Sequence, residues 1–249
     1  MQGGASAENA ESPPGVSFPP SVLKAAQKVP DCPVDYNPLV LPDRDTSSLA
    51  SALMPWHVVQ VAKFWAQFWI ELADLPQTVL DMCANIGCDA LLLASMGFGV
   101  TCVELNLSRY SCLAYNIAAM GFEKLIAPVH GNCLDYLQRW DGKSIGVVYL
   151  DPPWEANNGK HDPRKKYTDL FVIKKTPGES DSYVSVFEVM NVMFEMGLTD
   201  VIVLKIPPTV QFKQLSAICK AGNTPIKGEN GKYVQYRLLV VRRGDLTGL

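Results

Sequence analysis

From Thr78 to Val241 the chain alternates short apolar, β-branched runs with longer stretches in which apolar residues recur at helix spacing. Continuously apolar runs mark strands buried on both faces. Such strands alternate with helices when crossover connections cover a parallel sheet. The pattern predicts strands over 78–82, 99–104, 126–130, 145–150 and 201–205, and a last strand over 234–241. Helices are expected over 89–96, 108–120, 134–140 and 183–196. Gly121 is placed to close the second of these in a left-handed turn. The order specifies a doubly wound α/β domain with helices on both faces. The last strand is free to run antiparallel near an edge.

Ahead of this alternation, Trp65, Phe68, Trp69 and Leu72 recur at helix spacing after Pro55, which suits a first helical turn. The stripe reads as a core face, with Trp56 or Trp65 at a ligand pocket as the alternative. Residues 1–45 hold eight of the 18 prolines. The expectation is a Pro-rich arm over 1–50, disordered over 1–20 and extended thereafter with a short helix over 22–28, followed by one domain over 51–249.

Composition bounds the function. Apolar residues make up 48% of the chain and charged residues 19%, enough to build a large core. Net charge is −3, so any nucleic-acid contact must be a local patch. The charge is uneven: residues 1–150 carry 8 basic and 14 acidic side chains, and residues 151–249 carry 14 and 11. No apolar run approaches a membrane span, no secretory signal is visible, and seven scattered cysteines suit an intracellular chain with reduced thiols. Cys83 and Cys88 read as core or pocket-lining residues; no metal site is expected. His57, His130 and His161 form no recognisable triad. Lys205-Ile206-Pro207-Pro208 closes a strand and reads as structural, with a pocket wall as the alternative.

Two strand ends carry chemistry. The strand at 78–82 leads through Asp81, Met82, Cys83, Ala84, Asn85 and Ile86 to Gly87 and then a helix. Glu104 ends the next strand, 23 positions after Asp81. In a doubly wound sheet ligands sit at the carboxyl ends of strands, and an acid at that second strand end can accept hydrogen bonds from ribose hydroxyls. A loop with a single glycine is poorly suited to a pyrophosphate. It suits S-adenosylmethionine, which carries ribose and adenine without phosphate. A plain strand–turn–helix connection is the alternative.

The second is Asp151-Pro152-Pro153-Trp154, closing the strand at 145–150. An exocyclic amine on a nucleobase is a weak nucleophile, because its lone pair is delocalised into the ring. Asp151 and the Pro152 carbonyl can each accept one of its N–H groups, held rigidly by two prolines. Trp154 offers a face for base stacking. In-line positioning then carries much of the catalysis, and the proton leaves after transfer.

Taken in order, Asp81 to Gly87, Glu104, Asn116 with Gly121, Gly131-Asn132 and Asp151 to Trp154 resemble the class I S-adenosylmethionine-dependent methyltransferases over about 55–243. Within them the chain is most similar to the trimethylguanosine synthase family, which methylates the N2 amine of a 7-methylguanosine RNA cap. The resemblance implies a mostly parallel, seven-stranded Rossmann-like sheet with helices on both faces. It implies S-adenosylmethionine held by Asp81, Cys83, Asn85, Gly87 and Glu104, with the Asn132 side-chain oxygen on the adenine amine. Asp151, Pro152 and Trp154 take the catalytic positions. Trp154, Lys160, Arg164 and Lys165 take the substrate, the last three from a basic stretch over 155–175 that meets phosphates; a solvated loop is the alternative. Capped RNA or another RNA is the expected partner, with a nuclear or cytoplasmic location. Asp151, where that family often has serine, also points to guanine-N2 or adenine-N6 methylation of other RNA. Asn85 and Asn132 point to a non-catalytic relative that keeps the fold.

Overall fold

The structure, a computed structural model, describes residues 13–43, 45, 48–49, 52–72, 74–152, 172–174 as backbone, 183–208 and 223–246. The arm contributes β1 (Val16–Ser17), α1 (Pro20–Ala26) and β2 (Val40–Leu41). Pro20 opens α1, its fixed φ suiting the first helical position. The α/β succession then runs α2 (Pro55–Ile70), β3 (Thr78–Asp81), α3 (Cys88–Ser95), β4 (Gly99–Glu104), α4 (Leu107–Ala119), β5 (Ile126–His130), α5 (Cys133–Gln138) and β6 (Val147–Leu150). After it come β7 (Val172–Lys174), β8 (Tyr183–Ser185), α6 (Val186–Glu195), β9 (Val201–Ile206), β10 (Asn223–Lys227) and β11 (Val234–Arg242).

Seven strands form one sheet in the order β10-β11-β9-β6-β3-β4-β5. β9, β6, β3, β4 and β5 are parallel, and β11 and β10 add antiparallel. The expected doubly wound, mostly parallel sheet is present. The chain starts in the middle at β3, winds outward through β4 and β5, then crosses to β6 on the other side of β3. Both edge strands carry a proline, Pro128 in β5 and Pro225 in β10, where a missing N–H costs no ladder bond.

Side chains alternate across the sheet and fill two cores. One face packs Val79, Val100, Cys102, Val147, Tyr149 and Val203 against the arm and α2 to α4. The other packs Leu80, Val148, Leu150, Ile202 and Leu204 against α5 and α6. Trp65 is buried in the first core, its ring 6.0 Å from Tyr149, so the aromatic stripe is a core face as expected.

Several boundaries differ from the sequence pattern. The expected helix over 183–196 begins at Val186, because Ser185 caps it by accepting a bond from the Phe187 N–H. Tyr183–Ser185 instead pairs with Val172–Lys174. The expected disorder over 1–20 is corrected for residues 13–20. Val16–Ser17 pairs with Val40–Leu41, and Phe18, Val22, Val34, Tyr36 and Leu39 bury in the same core as α2. The aliphatic and aromatic residues between the prolines supply apolar surface that stays covered. The Tyr36 hydroxyl donates to the Leu53 carbonyl.

Asn116 ties the arm to the domain. Its amide donates to the carbonyls of Val40 (3.1 Å) and Ile86 (3.0 Å), and its oxygen accepts from the Val40 N–H (2.8 Å). At the end of the same helix Gly121 takes φ +72°, the Gly121 N–H reaches the Ala118 carbonyl and the Phe122 N–H reaches that of Ile117. This is the left-handed closure expected of Gly121.

Candidate functional site

The winding reverses between β3 and β6, and a crevice opens where adjacent parallel strands are covered by loops that diverge. Asp81 ends β3, Glu104 ends β4, and Asp151 follows β6. A cleft at this point is lined by Ala52, Asp81, Cys83, Asn85, Asp89, Tyr149 and Asp151, among others. It therefore joins the turn after β3 to the end of β6.

The turn is held by its own backbone and by β4. The Ala84 N–H donates to the Val103 carbonyl (3.0 Å) and the Gly87 N–H to that of Ala84 (2.9 Å). Asn85 takes φ +52°, a left-handed conformation Asn tolerates better than most residues. Gly87 takes φ +90°, and a Cβ there would lie 2.5 Å from Leu113 Cδ1, so the position suits only glycine. Glu104 is the brace behind the turn. Its Oε2 accepts from the Asn85 N–H and its Oε1 from the Asn106 N–H, each at 2.8 Å. Burial raises its pKa, and the Asn106 N–H is the first of the groups opposing that rise.

Asp81 is 1% exposed; its Oδ1 accepts from the Cys83 N–H at 3.3 Å. Burial first, then Asp89, pushes its pKa well above the usual carboxylate range. A hydrogen bond with Cys133 and burial push the Cys83 thiol up, so it is no reactive thiolate. Asn85 Nδ2 donates to the Ser48 carbonyl (3.0 Å), while Asn85 Oδ1 is buried without a hydrogen-bond partner among the described residues. Asn132 caps α5, its oxygen accepting from the Leu134 N–H at 2.8 Å. An amide oxygen has two lone pairs, so capping leaves acceptor capacity.

The far wall is a buried polar cluster. Lys205 Nζ lies 2.6 Å from Asp151 Oδ2, 3.9 Å from Asp89 Oδ2 and 4.7 Å above the Tyr236 ring centre. The Tyr149 hydroxyl donates to Asp89 Oδ1 (3.2 Å). The His57 ring stands edge-on to Tyr236 at 4.9 Å, and neither of its nitrogens has a partner among the described residues. Burial, then Lys205, lowers its pKa to about 3, so His57 is neutral.

Of the residues expected from sequence, Asp81, Cys83, Asn85 and Asp151 border one cleft. Glu104 braces Asn85 from behind, Gly87 shapes the turn, and Asn132 stands at the end of β5, two strands from β3. Pro152 is buried beside Asp151. Trp154, Lys160, Arg164 and Lys165 lie outside the described residues. Sequence reading did not single out Asp89 or Tyr149, and it read Lys205 as structural with a pocket wall as the alternative. The signal for Lys205 was one charge in an otherwise aliphatic strand.

Carboxylates and an amide oxygen that has no partner among the described residues call, at one cleft, for a ligand that brings donors and positive charge. S-adenosylmethionine carries an ammonium, a sulfonium, two ribose hydroxyls and an adenine amine, so the residues present fit it.

A family model described as RNA cap guanine-N2 methyltransferase matches residues 76–235, from just before β3 into β11. Ribosomal RNA small subunit methyltransferase J of Marinobacter nauticus is 28% identical over 120 residues, 45% of this chain and 42% of that protein. The protein of the same name from Pseudomonas aeruginosa strain UCBPP-PA14 is 37% identical over 81 residues, 30% and 31% of the two chains. The chain thus matches less than half the length of these curated relatives. A putative methyltransferase from Porphyromonas gingivalis W83 shares the fold at a TM-score of 0.53 and 14% identity, covering 84% of this chain and 44% of that one. With the switch-point cleft and the match over 76–235, the chain belongs to the RNA cap guanine-N2 methyltransferase family, and its cofactor is S-adenosylmethionine.

Proposed function

We propose that this protein is an RNA methyltransferase acting on the exocyclic N2 amine of guanine. One observation carries the reading: Asp151, at the end of β6, lines the same cleft as Asp81, Cys83 and Asn85. An amine acceptor and a cofactor turn that share a cavity can bring a nitrogen and a methyl group together.

When bound, S-adenosylmethionine supplies a methyl group whose bonding pair returns to sulfur as the new N–C bond forms. The protein's residues orient the acceptor. Asp151 and the Pro152 carbonyl take the two N–H groups of the amine, which turns its lone pair towards the methyl. Such preorganised acceptors cost no rearrangement at the moment of transfer. Asp81, Asn85 and Glu104 hold the cofactor's donors, directly or by fixing the turn, and Asn132 takes the adenine amine. Trp154 stacks the base, and Lys160, Arg164 and Lys165 meet RNA phosphates.

The family description specifies guanine N2, whereas the curated relatives carry the name of small-subunit ribosomal RNA enzymes. We therefore favour guanine within a ribosomal RNA over the cap expected from the sequence resemblance. The test offers methyl-labelled S-adenosylmethionine with four acceptors: a small-subunit ribosomal RNA transcript, capped RNA, 7-methylguanosine diphosphate and duplex DNA. Label on the ribosomal transcript, recovered after nuclease digestion as N2-methylguanosine, is the expected result. Label recovered on adenine N6, or on DNA alone, defeats the proposal. Transfer confined to the two cap substrates returns the target to the cap.

A further inference from the structure

β9 is aliphatic from Val201 to Ile206 except at Lys205, the one buried lysine or arginine among the described residues. A buried ion pair adds little net stability over a well-packed apolar residue, since desolvation of both charges offsets their attraction. Lys205 pairs with Leu238 on β11, and its neighbours along β9 are Leu204 and Ile206. The fold alone would be served by another aliphatic residue there.

The register accounts for what the lysine reaches. Leu150 pairs with Leu204, so the next step outward sets Lys205 beside Asp151. Among the described residues, the groups facing this pair are Asp81 on β3, Cys88 and Asp89 on α3, Tyr149 on β6, Tyr236 on β11 and His57 on α2. Three are acids besides tyrosine and cysteine, counting Asp151, and the histidine is neutral. Lys205 is the cation of the set. Burial works against its ammonium, but Asp151 and then Asp89 outweigh it and raise its pKa, so it stays charged at any working pH.

We propose that Lys205 is a positioning residue: it clamps Asp151 through Oδ2 at 2.6 Å, aims the remaining acceptor sites of the carboxylate at the target amine, and keeps Asp151 ionised beside Asp89 and Asp81. The inference depends on reading Asp151 as the amine acceptor. A carboxylate has about four acceptor sites and the ammonium engages one. A protonated Asp151 presents a donor where an acceptor is needed. Two carboxylates facing one another without a cation favour taking up a proton.

Two measurements test the clamp. The first needs no substrate: the Asp151 carboxyl carbon is followed by NMR across pH in the unsubstituted protein and in Lys205→Met. The midpoint is expected to rise by about one pH unit or more in the variant, and an unmoved midpoint overturns the proposal. The second is kinetic, with the ribosomal RNA transcript as acceptor. Lys205→Met is expected to lower kcat about 100-fold and to lift the acid limb of its pH profile, with S-adenosylhomocysteine affinity unchanged. Lys205→Arg, which keeps the charge, is expected to restore the acid limb. A fall in kcat with an unmoved acid limb would mean a packing role only, and the proposal fails. If Lys205→Met does not fold, Lys205→Met/Asp89→Asn removes one buried carboxylate and is titrated against Asp89→Asn by the same NMR measurement. Asp151→Asn separates the two claims. Full turnover in it overturns the acceptor reading, and the purpose given to Lys205 with it. An inactive Asp151→Asn beside a fully active Lys205→Met overturns the clamp alone.

Discussion

At Asn85 the backbone turns left-handed, one amide nitrogen reaches back to Ser48, and the backbone N–H is held by Glu104. The residue sits where the cofactor is proposed to lie, and its geometry is set by the Ser48 carbonyl and the Glu104 carboxylate. Glu104→Gln tests this. The substitution replaces one accepting oxygen by an NH2 that meets a backbone N–H. Hydrogen bonds to charged groups contribute about 1.5–3 kcal/mol, so affinity for S-adenosylhomocysteine is expected to fall roughly 10- to 100-fold by calorimetry. Asp81, Glu104 and Asp151 were legible in the sequence because each is an acid at the end of an apolar run, where the fold class alone places ligands. Lys205 was legible only in part, as a structural residue with a pocket wall as the alternative. Nothing within β9 distinguishes a lysine that reaches solvent from one aimed at the end of the neighbouring strand; that depends on which strand lies next to it.

At the scale of elements, the five parallel strands could be read from the sequence to within two residues at either end, since buried strands are continuously apolar. β10 was missed. Asn223 to Lys227 carries a proline and three polar residues, a composition suited to an edge and indistinguishable locally from a loop. The short helix of the arm was legible, but its packing was not, for a related reason: proline content signals extension but does not say whether the residues between find a surface. Asn116 provides that surface with its polar anchor, bonding Val40 at both backbone groups and Ile86 at its carbonyl. In Asn116→Ala three buried backbone groups lose their partner, each costing about 1–3 kcal/mol. A fall of several kcal/mol in urea stability is expected, with limited proteolysis cutting first within residues 13–43. Equal protection of the arm in variant and parent would contradict this account.

For the whole molecule, buried titratable groups set how stability responds to pH. His57 is neutral in the fold with a pKa of about 3, whereas the unfolded chain takes up its proton near the usual value of 6.5. Between those values the unfolded state binds more protons, so stability falls as pH falls. Asp81, Asp89 and Glu104 act in the opposite direction. Their raised pKa values make the fold bind protons that the unfolded chain has released, so their contribution is lost as pH rises above the ordinary carboxylate range. His57→Phe removes the first effect together with two ring nitrogens that have no partner among the described residues. The variant is expected to be more stable, and its advantage to grow by about 2 kcal/mol between about pH 7.5 and about pH 5, measured by urea denaturation. An advantage that stays constant across that interval would mean that His57 takes up its proton in the fold as readily as in the unfolded chain.

Pro128 and Pro225 sit on the two outermost strands, each in a position where a neighbouring chain would look for an N–H to dock on. Growth of the sheet sideways, into a fibre or a strand-swapped pair, is discouraged at both margins.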